Sequence, residues 1–312
     1  PKILFRSFES WADFFTVQNE VFGVDADSRL FVQGSLAFTG NLNLYMAQLA
    51  AGGTLIAEDV FLPGKWEQVM ACERANGIYL IPSKLLMLPR VFKGVNANIR
   101  TIISGSQSLG RKDAEVLKKI FPNTEITLYY GASELNYITY VKSADMTEER
   151  NLIGKPFPGV RVFIQDDEMY VDNAFHVENI TVPYSLKDSG RMDLQGNFYF
   201  LGRTDDIVGV RGRKVSMMKI ENALEEVAGI TEAAVVLLPK EKDADMPAEI
   251  VSAFVTVEGT DVPENLRQQL KEKLADFEIP KRVIVLEAFP KNTSGKVDKA
   301  RLKKMWIEQE PQ

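Results

Sequence analysis

Sulfur and imidazole are scarce in this chain: Cys72 is its one thiol and His176 its one imidazole in 312 residues. An intrachain disulfide is excluded, as are a zinc site of Cys and His ligands and a serine triad with any histidine but His176. His176 stands in Asn173-Ala174-Phe175-His176-Val177 and reads as a structural residue, so catalysis has to rest on carboxylates, Lys, Arg and bound cofactors. No uninterrupted apolar run reaches the ~18 residues of a membrane span, and no basic-then-apolar leader follows Pro1-Lys2. The expectation is a soluble, cytoplasmic protein without an integral membrane segment. Basic excess is also lacking: 37 Lys and Arg against 43 Asp and Glu give a formal charge of −6, which argues against non-specific nucleic-acid or anionic-membrane binding.

What is present is ordinary for a globular chain, 45% hydrophobic and 26% charged, and long enough for two domains. Phe8, Trp11, Phe14 and Phe15 at helical spacing predict an amphipathic helix over Ser7–Asn19, with Ser7 able to cap it. The apolar window Leu42–Ala57, interrupted by Asn43, Gln48, Gly52 and Gly53, reads as a buried helix followed by a strand at Thr54–Ala57. A helix over Lys65–Asn76, a strand at Gly77–Ile81, a further helical stretch and a strand at Ile99–Ile103 follow. Next come a helix with Ala114, Leu117 and Ile120 on one face and a strand at Ile126–Tyr130. This alternation predicts an open α/β layer with a largely parallel sheet, whose ligands would bind beyond the carboxyl ends of the strands. Beyond residue 214 a helix at Met217–Gly229, strands at Ala233–Leu238 and Glu249–Val257, a helix at Pro263–Asp276 and a strand at Arg282–Leu286 predict a small α+β domain.

Four segments carry possible chemistry. Ile99–Ile103 runs into Ser104-Gly105-Ser106-Gln107-Ser108-Leu109, and Ile126–Tyr130 into Gly131-Ala132-Ser133-Glu134; small residues there let backbone approach a flat ligand. Taken alone, Gly-Ala-Ser-Glu could equally be a capped helix N-terminus. Asp188 to Lys214 crowds charges around Gly190, Gly196, Gly202, Gly209 and Gly212, with Phe198–Leu201 as a short strand; alone it reads as a solvated hairpin turning at Gly196-Asn197. Pro290-Lys291-Asn292-Thr293-Ser294-Gly295-Lys296-Val297 looks like a phosphate loop but departs from the Walker pattern at Pro290 and Val297, and could be an exposed turn.

Taken together and in order, these segments resemble the adenylate-forming superfamily of acyl-CoA synthetases, luciferases and peptide-synthetase adenylation domains. The stretch Asp188–Val215 is similar to its hinge motif, Tyr130–Glu134 to its Y-G-x-[ST]-E segment, and Ser104–Leu109 to S-G-G-x-x-L. Asn151–Val162 resembles its G-x-P-x-P-G segment, which leads into a small β subdomain, and Pro290–Lys296 resembles P-K-x-x-S-G-K. The resemblance implies a partial N-terminal AMP-binding domain over 1–203 and a mobile C-terminal domain over 204–312, hinged near Asp205. It implies ATP-dependent activation of a carboxylic acid as acyl-AMP, then transfer to a thiol such as coenzyme A. It places Tyr130 on the adenine ring, Ser133 on the α-phosphate, Glu134 on Mg²⁺ and Asp188 on the ribose. Arg203 would lie by the ribose and phosphate, and Lys296 would bridge the acid's carboxylate and the α-phosphate. Gly105, Ser106 and Gly131 would complete the nucleotide site, Gly212 and Lys214 would border the thiol tunnel, and Phe38, Thr39, Ser104 and Tyr137 the acyl pocket.

Four departures from the family pattern stand out. Leu186-Lys187 replaces the Thr-Gly before Asp188, and the region Arg161–Asp188 is short, so a pared-down subdomain is expected. The Gly/Ser/Thr-rich phosphate loop is absent, Pro1-Lys2 resembling its last two residues, so an N-terminal portion is expected upstream, as a lost fragment or another polypeptide. Thr39 falls where amino-acid-activating domains carry an aspartate, and a buried ammonium without a carboxylate is costly; a fatty or aromatic acid without an α-amino group is therefore favoured. The alternatives are a peptide-synthetase-type domain loading the phosphopantetheine of a carrier protein, and a non-catalytic AMP-binding remnant.

Overall fold

The computed structural model describes residues 3–203, 206–210, 212–240, 249–291 and 297–308, in two compact units, 1–200 and 201–312. The first unit opens with α1 (Glu9–Phe22), β1 (Arg29–Gln33), α2 (Thr39–Ala50), β2 (Thr54–Glu58), α3 (Pro63–Cys72) and β3 (Gly77–Tyr79). It continues with α4 (Pro82–Leu85), α5 (Leu88–Val91), β4 (Thr101–Gly105), α6 (Arg111–Ile120), β5 (Glu125–Ala132) and β6 (Asn136–Lys142). Then come β7 (Leu152–Pro156), β8 (Arg161–Gln165), β9 (Glu168–Asp172), β10 (Tyr184–Met192) and β11 (Phe198–Arg203), within which the chain passes into the second unit.

Among the described residues these strands make one sheet in the order β2-β1-β3-β4-β5-β6-β7-β11-β10-β9-β8. From β2 to β5 it is parallel, as the alternating pattern predicts, and β5/β6 and β6/β7 are antiparallel. The parallel part is covered on both faces. Trp66, Met70, Leu85, Leu88 and Leu117, from α3 to α6, pack on one side; Phe14, Phe22 and Leu44, from α1 and α2, pack on the other. The β8–β10 strands continue this same sheet.

Differences from the sequence reading lie mostly at element ends and have local causes. The first helix starts at Glu9 with Phe8 before it in helical geometry, while the Ser7 hydroxyl accepts from the Ser10 N–H. It runs three residues past Asn19, until Gly23 adopts φ 65 and donates back to the Asn19 and Glu20 carbonyls. Phe8 is exposed, and the buried stripe is Phe14, Phe15, Gln18, Val21 and Phe22. Strand β1, whose Leu30, Phe31 and Val32 are fully buried between β2 and β3, was not anticipated.

The second unit contains β12 (Ile207–Val210), β13 (Arg213–Ser216), α7 (Met217–Glu225), β14 (Ile230–Pro239), β15 (Glu249–Val257), α8 (Leu266–Lys271), β16 (Arg282–Val285) and α9 (Lys299–Glu308). Antiparallel β14/β15 and parallel β15/β16 form its sheet, against which Ile220 and Leu224 of α7 and Leu266 and Leu270 of α8 are buried. Helix α8 is shorter than the predicted Pro263–Asp276. Its Leu266, Leu270 and Leu274 are all buried, but the chain past Lys271 is in turns, because leucines four apart define a face and not where the helix stops.

Candidate functional site

The Tyr130–Glu134 motif closes strand β5 and turns directly into β6, so it is a hairpin and not the start of a helix. Its Gly131 sits at a register shift, and a Cβ there would come within 2.6 Å of the Asn136 carbonyl oxygen, which is why the position tolerates no side chain. The Leu135 N–H donates to the Ala132 carbonyl across 3.1 Å, tightening the turn that presents Ser133 and Glu134.

Two pairings join this turn to distant segments. The Tyr130 hydroxyl donates to the Asp188 carboxylate, and Asp188 is only 3% exposed. The ring proposed for adenine and the carboxylate proposed for ribose are thus neighbours, with Phe200 flanking the Tyr130 ring at 5.9 Å between centroids. The Ser133 hydroxyl donates to Thr39 Oγ1 across 3.1 Å, at the first turn of α2, where Phe38 is extended and partly exposed. One turn further along α2, Asn43 donates to Asn136. Glu134 is 9% exposed, and its carbonyl accepts from the Val177 N–H at 2.9 Å.

Other predicted residues serve the fold in ways that account for their size. The position a Gly105 side chain would take is filled by the Tyr129 ring, whose atoms come within 2.4–2.7 Å of it. Ser106 next to it adopts φ 69. Ser104 is fully buried and its hydroxyl donates to the Leu80 carbonyl at 2.7 Å; Tyr137 is 2% exposed and its hydroxyl donates to the Gly40 carbonyl at 3.4 Å. Lys187, where the family carries Gly, adopts the left-handed φ of 63. Its N–H donates to the Ser185 hydroxyl, and its ammonium pairs with Glu168 at 3.2 Å. That hydrogen bond holds the Glu168 carboxyl below and the Lys187 ammonium above their usual values.

In the second unit Arg203 is exposed at the end of β11, and Gly212, at φ 78, is exposed in the turn between β12 and β13. Lys214 lies on β13 opposite Gly209. Asp205 and Lys296 lie outside the described residues. Among the described residues Lys291 bridges Val297, and the Asp298 N–H donates to the Pro290 carbonyl at 2.8 Å.

Sequence reasoning missed Arg6. Its guanidinium donates to the Phe175 carbonyl at 2.8 Å and to the Ser133 carbonyl at 3.2 Å, gripping the motif turn from behind. Burial lowers its pKa to about 10. Asn173 supports the same turn, donating to the Leu135 carbonyl at 3.0 Å. Neither has a pattern in the local sequence.

Among the described residues no three His, Cys, Asp or Glu side chains gather as a metal cage. The Glu134 carboxylate in this turn fits an ion held mainly through phosphate oxygens, as Mg²⁺ commonly is. No helix among the described residues is long and apolar enough to cross a membrane.

The sequence profile of the AMP-binding enzymes matches residues 1–174, and that of the AMP-binding enzyme C-terminal domain matches residues 219–296. The chain therefore belongs to the AMP-binding, adenylate-forming enzyme family. It is similar to the uncharacterized acyl-CoA ligase YhfT of Bacillus subtilis, 26% identical over all of this chain and 67% of that protein. It is also similar to a linear gramicidin synthase of Brevibacillus parabrevis, 26% identical over 90% of this chain and 6% of that protein. The solved structure of ATP-bound MatB from Rhodopseudomonas palustris shares the fold with a TM-score of 0.82 at 22% identity, over 97% of this chain and 65% of that one. The chain thus spans about two thirds of the length of YhfT and slightly less of MatB.

Proposed function

We propose that this chain supplies the nucleotide and acid sites of an enzyme that activates a carboxylic acid with ATP, as an acyl-AMP, and passes the acyl group to a thiol, coenzyme A. The observation that carries this reading is the hydrogen bond from the Tyr130 hydroxyl to the Asp188 carboxylate, which supports reading the two as the adenine and ribose groups of one nucleotide site. Ser133, beside Thr39, faces the α-phosphate and Glu134 holds Mg²⁺, which when bound offsets charge on the phosphate oxygens. Gly105, Ser106 and Gly131 border the nucleotide, and Phe38, Thr39, Ser104 and Tyr137 border the acyl group.

In the first half-reaction an acid oxygen attacks the α-phosphorus and pyrophosphate leaves; Lys296 and Arg203 offset the charge gathered there. In the second the thiol sulfur attacks the acyl carbon and AMP leaves. Residues 1–203 form the adenylation part and 204–312 a small domain that rotates about Asp205 between the steps, bringing Gly212 and Lys214 to the thiol. Thr39 in place of an acidic partner favours an acid without an α-amino group. The likeness to a gramicidin synthase favours a second acceptor, carrier-protein phosphopantetheine.

Calorimetric titration of AMP into the full-length polypeptide tests the nucleotide site. Asp188→Ala should weaken binding by roughly tenfold or more, since hydrogen bonds to charged groups contribute about 1.5–3 kcal/mol. Unchanged affinity in a folded variant would refute the assignment.

A further inference from the structure

Three tyrosines close off the carboxyl end of the sheet behind the first turn of α2. Tyr79 ends β3, Tyr129 lies in β5 and Tyr137 in β6, and they are 5%, 6% and 2% exposed. The Tyr79 and Tyr129 hydroxyls are 2.9 Å apart, and the Tyr129 and Tyr137 ring centroids 4.4 Å apart. Glycines make the room for them. A Cβ on Gly40 would lie 3.1 Å from the Tyr129 hydroxyl and 3.4 Å from that of Tyr79, and a Cβ on Gly105 would overlap the Tyr129 ring. The space between the helix turn of Phe38 and Thr39 and the strand end of Ser104 and Gly105 is thus filled by aromatic rings. Tyr137 packs in turn on Phe22 and Phe157, with centroids 5.3 and 5.8 Å away, so swinging it aside would break into the core cluster.

These are the same segments that border the acyl group if the functional reading above holds, and the inference rests on that reading. An acyl chain leaving the α-phosphate at Ser133 passes Thr39 and meets this wall. We propose that Tyr79, Tyr129 and Tyr137 form the floor of the acid pocket and restrict the substrate to a short acyl group. The hydroxyls satisfy one another and the Gly40 carbonyl, and the buried rings interlock at the packing density of a core, so a long alkyl chain finds no channel. Burial keeps all three phenols protonated, with Tyr129 raised to about 12 and the other two well above their usual value. The fatty or aromatic acid favoured by the sequence is narrowed to one with a short acyl group.

The test titrates the full-length polypeptide with AMP and with acyl-sulfamoyl adenosines carrying acetyl, butyryl, octanoyl and dodecanoyl groups. The short analogues should bind, and octanoyl and dodecanoyl should bind at least ~10-fold more weakly than butyryl, a discrimination that pocket sterics readily supply. Tyr129→Leu, checked for a retained cooperative thermal transition, should recover most of that loss for octanoyl. Should Tyr129→Leu not fold, the wild-type series still decides. Affinity that rises steadily through dodecanoyl, with AMP binding intact, overturns the floor while leaving the functional reading standing. Absence of binding by AMP and by every analogue overturns the functional reading itself, and the floor with it.

Discussion

The Ser133 hydroxyl and Thr39 Oγ1, 94 positions apart in sequence, meet at 3.1 Å and tie the β5–β6 turn to the first turn of α2. A hydroxyl both donates and accepts, so when Ser133 turns to donate to a phosphate it can still accept from Thr39. Thr39→Val keeps the shape and removes that partner. Affinity for AMP should fall ~2–10-fold, as expected for a lost hydrogen bond of about 0.5–1.5 kcal/mol, with unchanged thermal stability. Equal affinity would mean the pair does not orient Ser133.

Arg6 ties the Ser133 carbonyl of this turn to the Phe175 and Ser10 carbonyls, and a single ammonium lacks the planar fork that spans them. Arg6→Lys should therefore destabilise the first unit nearly as much as Arg6→Ala, each by ~1–3 kcal/mol. Urea unfolding followed by tryptophan fluorescence measures both. A Lys variant as stable as wild type would show that charge alone is what matters at this position.

Much of this arrangement was legible in the sequence, and what was not has identifiable causes. Strand-loop alternation gave the parallel sheet, and Tyr130–Glu134 showed itself as a strand end because a Gly follows apolar, β-favouring residues. Strand β1 was missed although Leu30-Phe31-Val32 is fully apolar, since a run so short fits a buried helix turn equally well. The hairpin after Ser133 could not be read, because Gly-Ala-Ser-Glu also caps helices and what excludes that is the antiparallel pairing of Gly131 and Ala132 with Tyr137 and Asn136. The reach of Arg6 to Ser133 and Phe175, and of Thr39 to Ser133, is long-range and no local spacing encodes it.

Lys187 occupies a left-handed conformation that costs an L-residue ~1–2 kcal/mol. Its ion pair with Glu168 is exposed and contributes little. Lys187→Gly should stabilise the first unit by up to ~1 kcal/mol after the larger chain entropy of unfolded Gly is subtracted. Loss of stability, read by urea unfolding, would show that the lysine side chain matters more than its backbone.

The buried phenols make stability fall in alkali. Their folded-state pKa values lie above the unfolded value of 10.0, Tyr129 at about 12, with burial the first cause. Each contribution is complete below pH 10 and falls as pH rises above it, because the unfolded chain ionises first, at about 1.4 kcal/mol per pH unit and tyrosine; that of Tyr129 is lost between pH 10 and about 12. Tyrosinate absorbance should show these phenols ionising only as the chain unfolds. Their ionisation in the native protein near pH 10 would contradict their burial.

Acyl-AMP formation is the most direct measurement. The full-length polypeptide is incubated with ATP, Mg²⁺ and one short carboxylic acid at a time, and the products are identified by mass spectrometry. Adenylation predicts pyrophosphate and an acyl-AMP whose mass changes with the acid. In the Lys296→Ala variant the acyl-AMP should fall ~10²–10³-fold, as for the loss of one preorganised charge. Transfer to coenzyme A from supplied acyl-AMP should be close to normal, because the proposed mechanism uses Lys296 only in the first step. ADP and phosphate as products, or acid-independent turnover, would contradict adenylate formation by this protein.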